Sequence, residues 1–256
     1  MTALKDKVAI ITGASSGIGR AAAKLFAAEG ARLVVTARRQ SELDALVGEI
    51  KAEGGEAIAV SGDIREEALA QRLVDTATER FGGLDIALNN AGIIGDLGPI
   101  GEMASANWHE VIAINLTSAF LGAKHQVPAL EARGGGSLIF TSSFVGYTAG
   151  LAGMSVYAAS KAGQIGLVKA LAAELGGKRI RVNALLPGGT DTPAATTNAP
   201  GAGPEVFAFV KGIHALKRMA QPQEIARAAL FLASDASSFV TGTAFLADGG
   251  VSIQRG

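Results

Sequence analysis

Tyr157 and Lys161 lie four residues apart in an Ala-rich segment of helical pattern. On a helix that spacing stacks both side chains on one face. A phenol in water titrates near ~10, and an ammonium close by favours its phenolate. Such a pair is a proton donor and acceptor suited to general acid catalysis near neutral pH. A bare Tyr-x-x-x-Lys also arises where a tyrosine covers an apolar face and a lysine snorkels to water. The pair therefore needs support from the elements around it. Ahead of it, Ser142-Ser143-Phe144-Val145-Gly146 supplies two hydroxyls at the end of a β-rich run, Ser137 to Thr141.

The support comes from the N-terminal segment. Val8 to Thr12 reads as a buried strand and runs into Gly13-Ala14-Ser15-Ser16-Gly17-Ile18-Gly19. A helix follows from Arg20 to Glu29, closed by Gly30. Strand, Gly-rich turn and helix make a phosphate cradle. The glycines let backbone approach an anion, and the helix N-terminus offers free N–H groups and the positive end of its dipole. A Gly-rich turn alone is only a tight βα connection; the strand before it and the helix after it give it meaning.

Further strands are expected over Arg32–Ala37, Glu56–Ser61, Leu84–Leu88, Ser137–Thr141, Ile180–Leu186 and Thr243–Leu246. The helices between them run over about 41–53, with Ser41 and Asp44 at capping-box spacing, then 66–81, 106–132, 154–175 and 223–234. Regular alternation of strand and helix predicts a parallel sheet with helices on both faces. Ligands of such sheets sit at the carboxyl ends of the strands, where Asn89-Asn90-Ala91-Gly92, Ser142-Ser143 and Pro187-Gly188-Gly189-Thr190-Asp191-Thr192 all fall. Asn115 sits in an apolar helix, where an unmatched amide costs about 1–3 kcal/mol. A helix–helix hydrogen bond is the plain reason for it.

Composition excludes other classes. The 256 residues are 48% hydrophobic and 18% charged, enough apolar content for a large core. Lys plus Arg and Asp plus Glu both number 23, with no basic block, which argues against nucleic acid or anionic membrane as partner. There is no cysteine and the three histidines, His109, His125 and His214, are scattered, so no metal site is expected. The N-terminus lacks a signal-peptide core and no apolar run reaches ~18 residues, so a soluble cytoplasmic protein is expected. The helix over 154–175 is apolar almost all round, which predicts a partner subunit and hence a homo-oligomer. One domain over 1–256 is expected, with a substrate lid over about 190–215.

Taken in order, Thr12-Gly13-x-x-x-Gly17-x-Gly19, Asp63, Asn89-Asn90-Ala91-Gly92, Asn115, Ser143, Tyr157-x-x-x-Lys161 and Pro187-Gly188 resemble the short-chain dehydrogenase/reductase family over essentially the whole chain. The resemblance implies a Rossmann-like doubly wound sheet of seven parallel strands in the order 3-2-1-4-5-6-7. It also implies a nicotinamide cofactor and a homotetramer. By that resemblance Tyr157 is the acid/base, Ser143 holds the substrate oxygen, Lys161 lowers the Tyr157 pKa and binds ribose, and Asn115 holds a water of a relay to Lys161. Cofactor contacts are implied at Gly13, Ser15, Ser16, Gly17, Ile18, Gly19, Asp63, Ile64, Asn90, Ala91, Gly92, Tyr157, Lys161, Pro187, Gly188, Thr190 and Thr192. Ser143 is chosen over Ser142 because it opens a Ser-x-x-Gly run ending at Gly146; fourteen positions then separate it from Tyr157, one more than is common in the family.

The second strand ends at Ala37-Arg38-Arg39, with no acidic residue where a carboxylate would favour NAD. Arg38 and Arg39 predict NADP(H). Ile94, Phe144, Val145 and Phe207 suggest an apolar substrate pocket. The expected activity is that of a carbonyl reductase acting on a small ketone or secondary alcohol. A β-ketoacyl carrier-protein reductase is the alternative, Lys178 and Arg179 offering a small basic pair to an acidic carrier. A cofactor-sensing, non-catalytic protein and a non-redox lyase or epimerase are the readings from other classes.

Overall fold

The computed structural model describes residues 2–196 and 203–254. Seven strands form one parallel sheet: β1 Val8–Thr12, β2 Arg32–Thr36, β3 Glu56–Ala59, β4 Ile86–Asn89, β5 Gly136–Thr141, β6 Ile180–Pro187 and β7 Ala244–Ala247. Their order is β3-β2-β1-β4-β5-β6-β7, as expected. The order reverses between β1 and β4, which pair directly through Ala9–Ile86, Ile10–Ala87 and Ile11–Leu88. That reversal opens a crevice at the carboxyl ends of the two strands.

Helices cover both faces because the strand side chains alternate. Ile11, Val35, Leu88, Ile139 and Leu185 point to the layer of α1 Gly17–Ala28, α2 Gln40–Ala52 and α9 Pro222–Ala233. Ile10, Val34, Leu138, Phe140 and Val182 point to α3 Glu67–Phe81, α5 Ser118–Arg133 and α6 Ser155–Leu175. Phe26 and Phe140 are fully buried on these two sides.

Three elements differ from the sequence expectation in ways that matter. Helix α1 begins at Gly17 rather than Arg20, so the last glycines of the turn already belong to its first turn. The long helix over 106–132 is broken into α4 Ser105–Ile112, a π-helical turn Ala113–Thr117, and α5. Asn115 occupies that π turn, a distortion that tends to mark functional positions. The capping box at Ser41 and Asp44 does not form, because Arg39 is the N-cap and Ser41 already lies inside α2. The box forms instead on α9, between Gln221 and Glu224. Short helices α7 Pro193–Thr196 and α8 Pro204–Gly212 flank residues 197–202. Thr197 to Ala202, part of the expected lid, lie outside the described residues.

Candidate active site

The Gly-rich turn is shaped for an anion. Gly13 and Gly17 have φ of 68° and 55°, and the N-cap Ser16 uses no side-chain hydrogen bond to close the start of α1. The first N–H groups of the helix are thus left facing outward, as phosphate binding requires. A Cβ at Gly19 would lie 2.3 Å from the Gly13 carbonyl oxygen and 2.7 Å from the Asn90 side-chain nitrogen. Asn90 in turn donates from Nδ2 to the Thr12 carbonyl at 3.1 Å, and Thr12 Oγ1 accepts the Asn90 and Ala91 N–H groups at 2.9 Å each. The end of β4 and the turn after β1 are therefore one rigid unit. Gly19→Ala is expected to lower stability by about 1–3 kcal/mol through this overpacking, seen as a drop in Tm of several degrees.

Across the crevice, Thr192 Cγ2 stands 3.0 Å from where a Cβ on Gly17 would be, so the segment after β6 faces the Gly-rich turn. Thr190 is buried and its hydroxyl donates to the Gly188 carbonyl at 3.0 Å. At the other end, Arg38 and Arg39 are both exposed. Arg39 Nη2 donates to Ser15 Oγ at 3.2 Å, which ties the end of β2 to the Gly-rich turn. The Asp63 carboxylate is gripped by the Arg65 guanidinium, with contacts of 3.0 and 2.5 Å. That pairing, with burial opposing it and Arg38 adding a little, holds the acid below its ordinary value. Ile64 is half-buried beside it.

Ser143, Tyr157 and Lys161 are brought together by one close approach. A Cβ on Gly146 would sit 2.4 Å from the Ala158 carbonyl oxygen, so the loop after β5 packs directly on the first turn of α6. Ser143 Oγ accepts the Val145 N–H at 3.1 Å, which leaves its own hydrogen for another acceptor. Ser142 is turned the other way and donates to the Lys161 carbonyl at 2.9 Å. Between Ser143 and Tyr157 the chain makes a turn in which the Tyr147, Thr148 and Ala149 N–H groups all bond back to the Phe144 carbonyl.

Burial pushes the Tyr157 phenol above its ordinary value, and a hydrogen bond with Ser143 pulls partly the other way. Lys161 is 4% exposed, and burial pulls its ammonium down from 10.5 to about 8. It donates to the Thr141 carbonyl at 2.7 Å and lies 5.7 Å from the Tyr157 ring centroid. The hydroxyl of Ser143, rather than the ammonium of Lys161, is what lowers the phenol in this arrangement.

Both polar atoms of the Asn115 side chain are engaged. Its Oδ1 accepts the Ile93 N–H, and its Nδ2 donates to the Ile93 carbonyl and to Ser160 Oγ, each at 2.9 Å. The side chain thus staples the π turn to the loop that follows Gly92 and to α6, and a water could also sit on its main-chain carbonyl. That carbonyl already accepts one bond, from Gln164 Nε2 at 2.7 Å. Gln164 was not legible as a site residue: a glutamine in an Ala-rich helix carries no motif, and only the π turn shows why a side-chain donor is needed there. Gln126, which exchanges two amide hydrogen bonds with Asn89 at 2.8 and 3.0 Å, was missed for the same reason.

Phe144 and Val145 are 6% and 3% exposed and pack with Val251, Met154 and Ile213 in the wall around Tyr157. Ile94 is half-buried in the loop after β4. Phe207 lines a groove of about 940 Å³ between α8 and the start of α9, with Asp191, Lys211 and Met219. Among the described residues no group of three acidic, histidine or cysteine side chains could hold a metal ion, and no helix is long and apolar enough to cross a membrane.

A family model described as enoyl-(acyl carrier protein) reductase matches residues 13–252. The cyclohexanol dehydrogenase of an Acinetobacter species is 39% identical over 244 residues, 95% of this chain and 94% of that protein. A short-chain dehydrogenase from Burkholderia cenocepacia, solved in complex with NADP, is 32% identical with a TM-score of 0.89, covering 97% of this chain and 99% of that one. Carveol dehydrogenase from Mycobacterium avium, solved in complex with NAD, is 31% identical with a TM-score of 0.93, covering 99% and 100%.

Proposed function

The chain belongs to the short-chain dehydrogenase/reductase family of oxidoreductases, whose fold binds a nicotinamide cofactor, and on that premise we propose that it is an NADP(H)-dependent carbonyl reductase acting on small ketones and secondary alcohols. The observation that carries the reading is the convergence of the Ser143 hydroxyl, the Tyr157 phenol and the buried Lys161 ammonium at the carboxyl edge of β5.

The cofactor, when bound, supplies or takes up the hydride. The turn from Gly13 to Gly19 would hold its diphosphate, Asp63 and Ile64 its adenine end, and Lys161 with Asn90 the nicotinamide ribose. The chain's own residues do the rest. Ser143 donates a hydrogen bond where negative charge develops on the substrate oxygen. Tyr157 delivers its proton to that oxygen, and its raised pKa keeps the proton available at neutral pH. The Ser143 hydroxyl stabilises the phenolate left behind, and Lys161, still largely cationic at pH 7, binds the ribose beside it. Asn115 fixes the π turn so that its carbonyl can hold a water on the route by which Tyr157 is reprotonated.

A free small molecule fits better than a carrier-bound one. Of the basic pair that was a candidate carrier contact, Lys178 is already paired with Glu131 at 2.6 Å. The dehydrogenase of cyclohexanol among the relatives makes cyclohexanone the natural first member of a substrate panel. The test is loss of NADPH absorbance with a panel of cyclic and open-chain ketones, run with both cofactors. Turnover of several neutral ketones is expected. NADPH binding without turnover of any carbonyl would favour the sensing role and overturn this one.

The proposed assembly is a homotetramer in the cytoplasm. The outward face of α6 is lined by small residues, Ala159, Ala162, Gly166, Ala170 and Ala173, all exposed. Trp108 on α4 and Phe120 on α5 are 44% and 52% exposed. Apolar surface of this kind is what a subunit contact removes from water. Light scattering is expected to give about four times the 25.8 kDa chain mass, and at least twice; a monomer at micromolar concentration would contradict the proposal. The segment 190–215 is proposed as the substrate lid, with α7 and α8 among its described residues.

A further inference from the structure

We propose that His214 is a positioning residue that ties α8 to the backbone segment Gly188–Gly189 through a neutral imidazole of fixed tautomer. The bridge itself is a matter of geometry; its consequence for NADPH rests on the cofactor reading above. His214 is 1% exposed and follows the last turn of α8. The Gly189 N–H donates to His214 Nε2 at 2.9 Å. A main-chain N–H can only donate, so Nε2 carries the lone pair and Nδ1 carries the hydrogen. Nδ1 then donates to the Val210 carbonyl at 2.5 Å. Val210 lies in the final turn of α8, where carbonyls lack helical partners. One ring thus serves as the C-terminal cap of α8 and as the acceptor for a backbone donor at the mouth of the crevice.

The rest of that segment is held by main chain. Gly188 N–H donates to the Ala247 carbonyl at 3.1 Å, Ala220 N–H to the Gly189 carbonyl at 2.9 Å, and Asp191 N–H to the Ala220 carbonyl at 2.8 Å. The Gly189 N–H depends on the histidine. Packing alone does not immobilise the ring. A cavity of about 170 Å³ adjoins it, lined in part by Gly188, Gly189, Arg218, Glu224 and Asp248. The charged groups around it are engaged elsewhere or exposed. The Asp248 carboxylate accepts the Gly250 and Ser252 N–H groups at 3.0 Å each. Arg218 pairs with Glu224 at 2.7 Å, Lys217 donates to the Gly212 carbonyl at 2.9 Å, and Asp191 and Lys211 are exposed. Protonation of the ring would set an Nε2–H against the Gly189 N–H, two donors with no acceptor between them. The bridge must then open, and α8 parts from the segment that leads to Thr190 and Thr192.

Two measurements test this. Long-range ¹⁵N–¹H correlation spectra of the histidine rings, with His214 assigned by its loss in His214→Gln, are expected to show the Nδ1–H tautomer; an Nε2–H tautomer overturns the bridge. NADPH titrations of wild type, His214→Gln and His214→Leu give the consequence. His214→Leu orphans the Gly189 N–H and is expected to weaken NADPH about tenfold, whereas His214→Gln, which keeps one acceptor and one donor, stays within about threefold. Wild-type affinity in His214→Leu, or equal loss in a folded His214→Gln, would each refute the coupling. A wild type that binds no NADPH refutes the cofactor reading and with it this consequence, while the tautomer still decides the bridge.

Discussion

Tyr157→Phe is expected to lower kcat by roughly 10²–10⁴-fold, the contribution of a positioned general acid, with NADPH still bound. Phenylalanine keeps the ring against Phe144, Val145 and Met154 and removes only the hydroxyl, so the wall of the site stays packed. Lys161 is anchored by the Thr141 carbonyl and not by the phenol oxygen, so the lysine stays in place in the variant. The pH dependence should follow the same logic. Burial raises the phenol above its ordinary value, so the acid form needed for ketone reduction dominates at neutral pH. Alcohol oxidation needs the phenolate and should rise with pH. Lys161, whose ammonium burial pulls down to about 8, loses its charge above that point and with it its hold on the ribose. A Tyr157→Phe protein that kept most of its kcat, or kept the rise of oxidation with pH, would remove Tyr157 from the acid role.

The sheet was legible because seven apolar runs alternate with helical periodicity, and parallel strands are buried on both faces. The cradle was legible for a related reason: glycines at positions of positive φ or close approach leave a mark that propensity alone does not. The supporting polar groups were not legible. Asn115 stood out as an amide in an apolar helix, yet its four contacts depend on a π turn that no periodicity marks. Gln164 bonds to main chain on a neighbouring helical turn and Gln126 to an amide at the end of β4, and such pairings follow from tertiary packing only. Strand β4 starts two residues later than read, at Ile86, because Leu84 and Asp85 still belong to the approach: the Asp85 N–H bonds to the Val8 carbonyl and its carboxylate accepts the Val8 N–H at 2.9 Å. Such a carboxylate-to-backbone contact looks like an ordinary surface acid in sequence.

NADPH is expected to be used roughly ten- to a hundred-fold more efficiently than NADH in kcat/KM, which corresponds to one charge-assisted hydrogen bond of about 1.5–3 kcal/mol. Family membership does not decide this, since one solved relative carries NADP and another NAD. The decision falls to residues 37–39. Ala37, at the end of β2, offers no carboxylate to a ribose diol and no charge to repel a phosphate. Arg39 is already bonded to Ser15 Oγ of the Gly-rich turn, which stations one guanidinium beside the adenosine end of the crevice. Arg38 is exposed next to it and free to present its fork of donors to a 2′-phosphate. The Asp63 carboxylate, which would repel a phosphate, is paired with Arg65. Arg38→Ala should therefore erode most of the preference through a higher KM for NADPH, with NADH kinetics unchanged. Ala37→Asp should reverse it, because the new carboxylate repels the 2′-phosphate and accepts from a 2′-hydroxyl. Equal efficiency with both cofactors in the wild type, or an unchanged ratio in Arg38→Ala, would show that these arginines serve only as the polar start of α2.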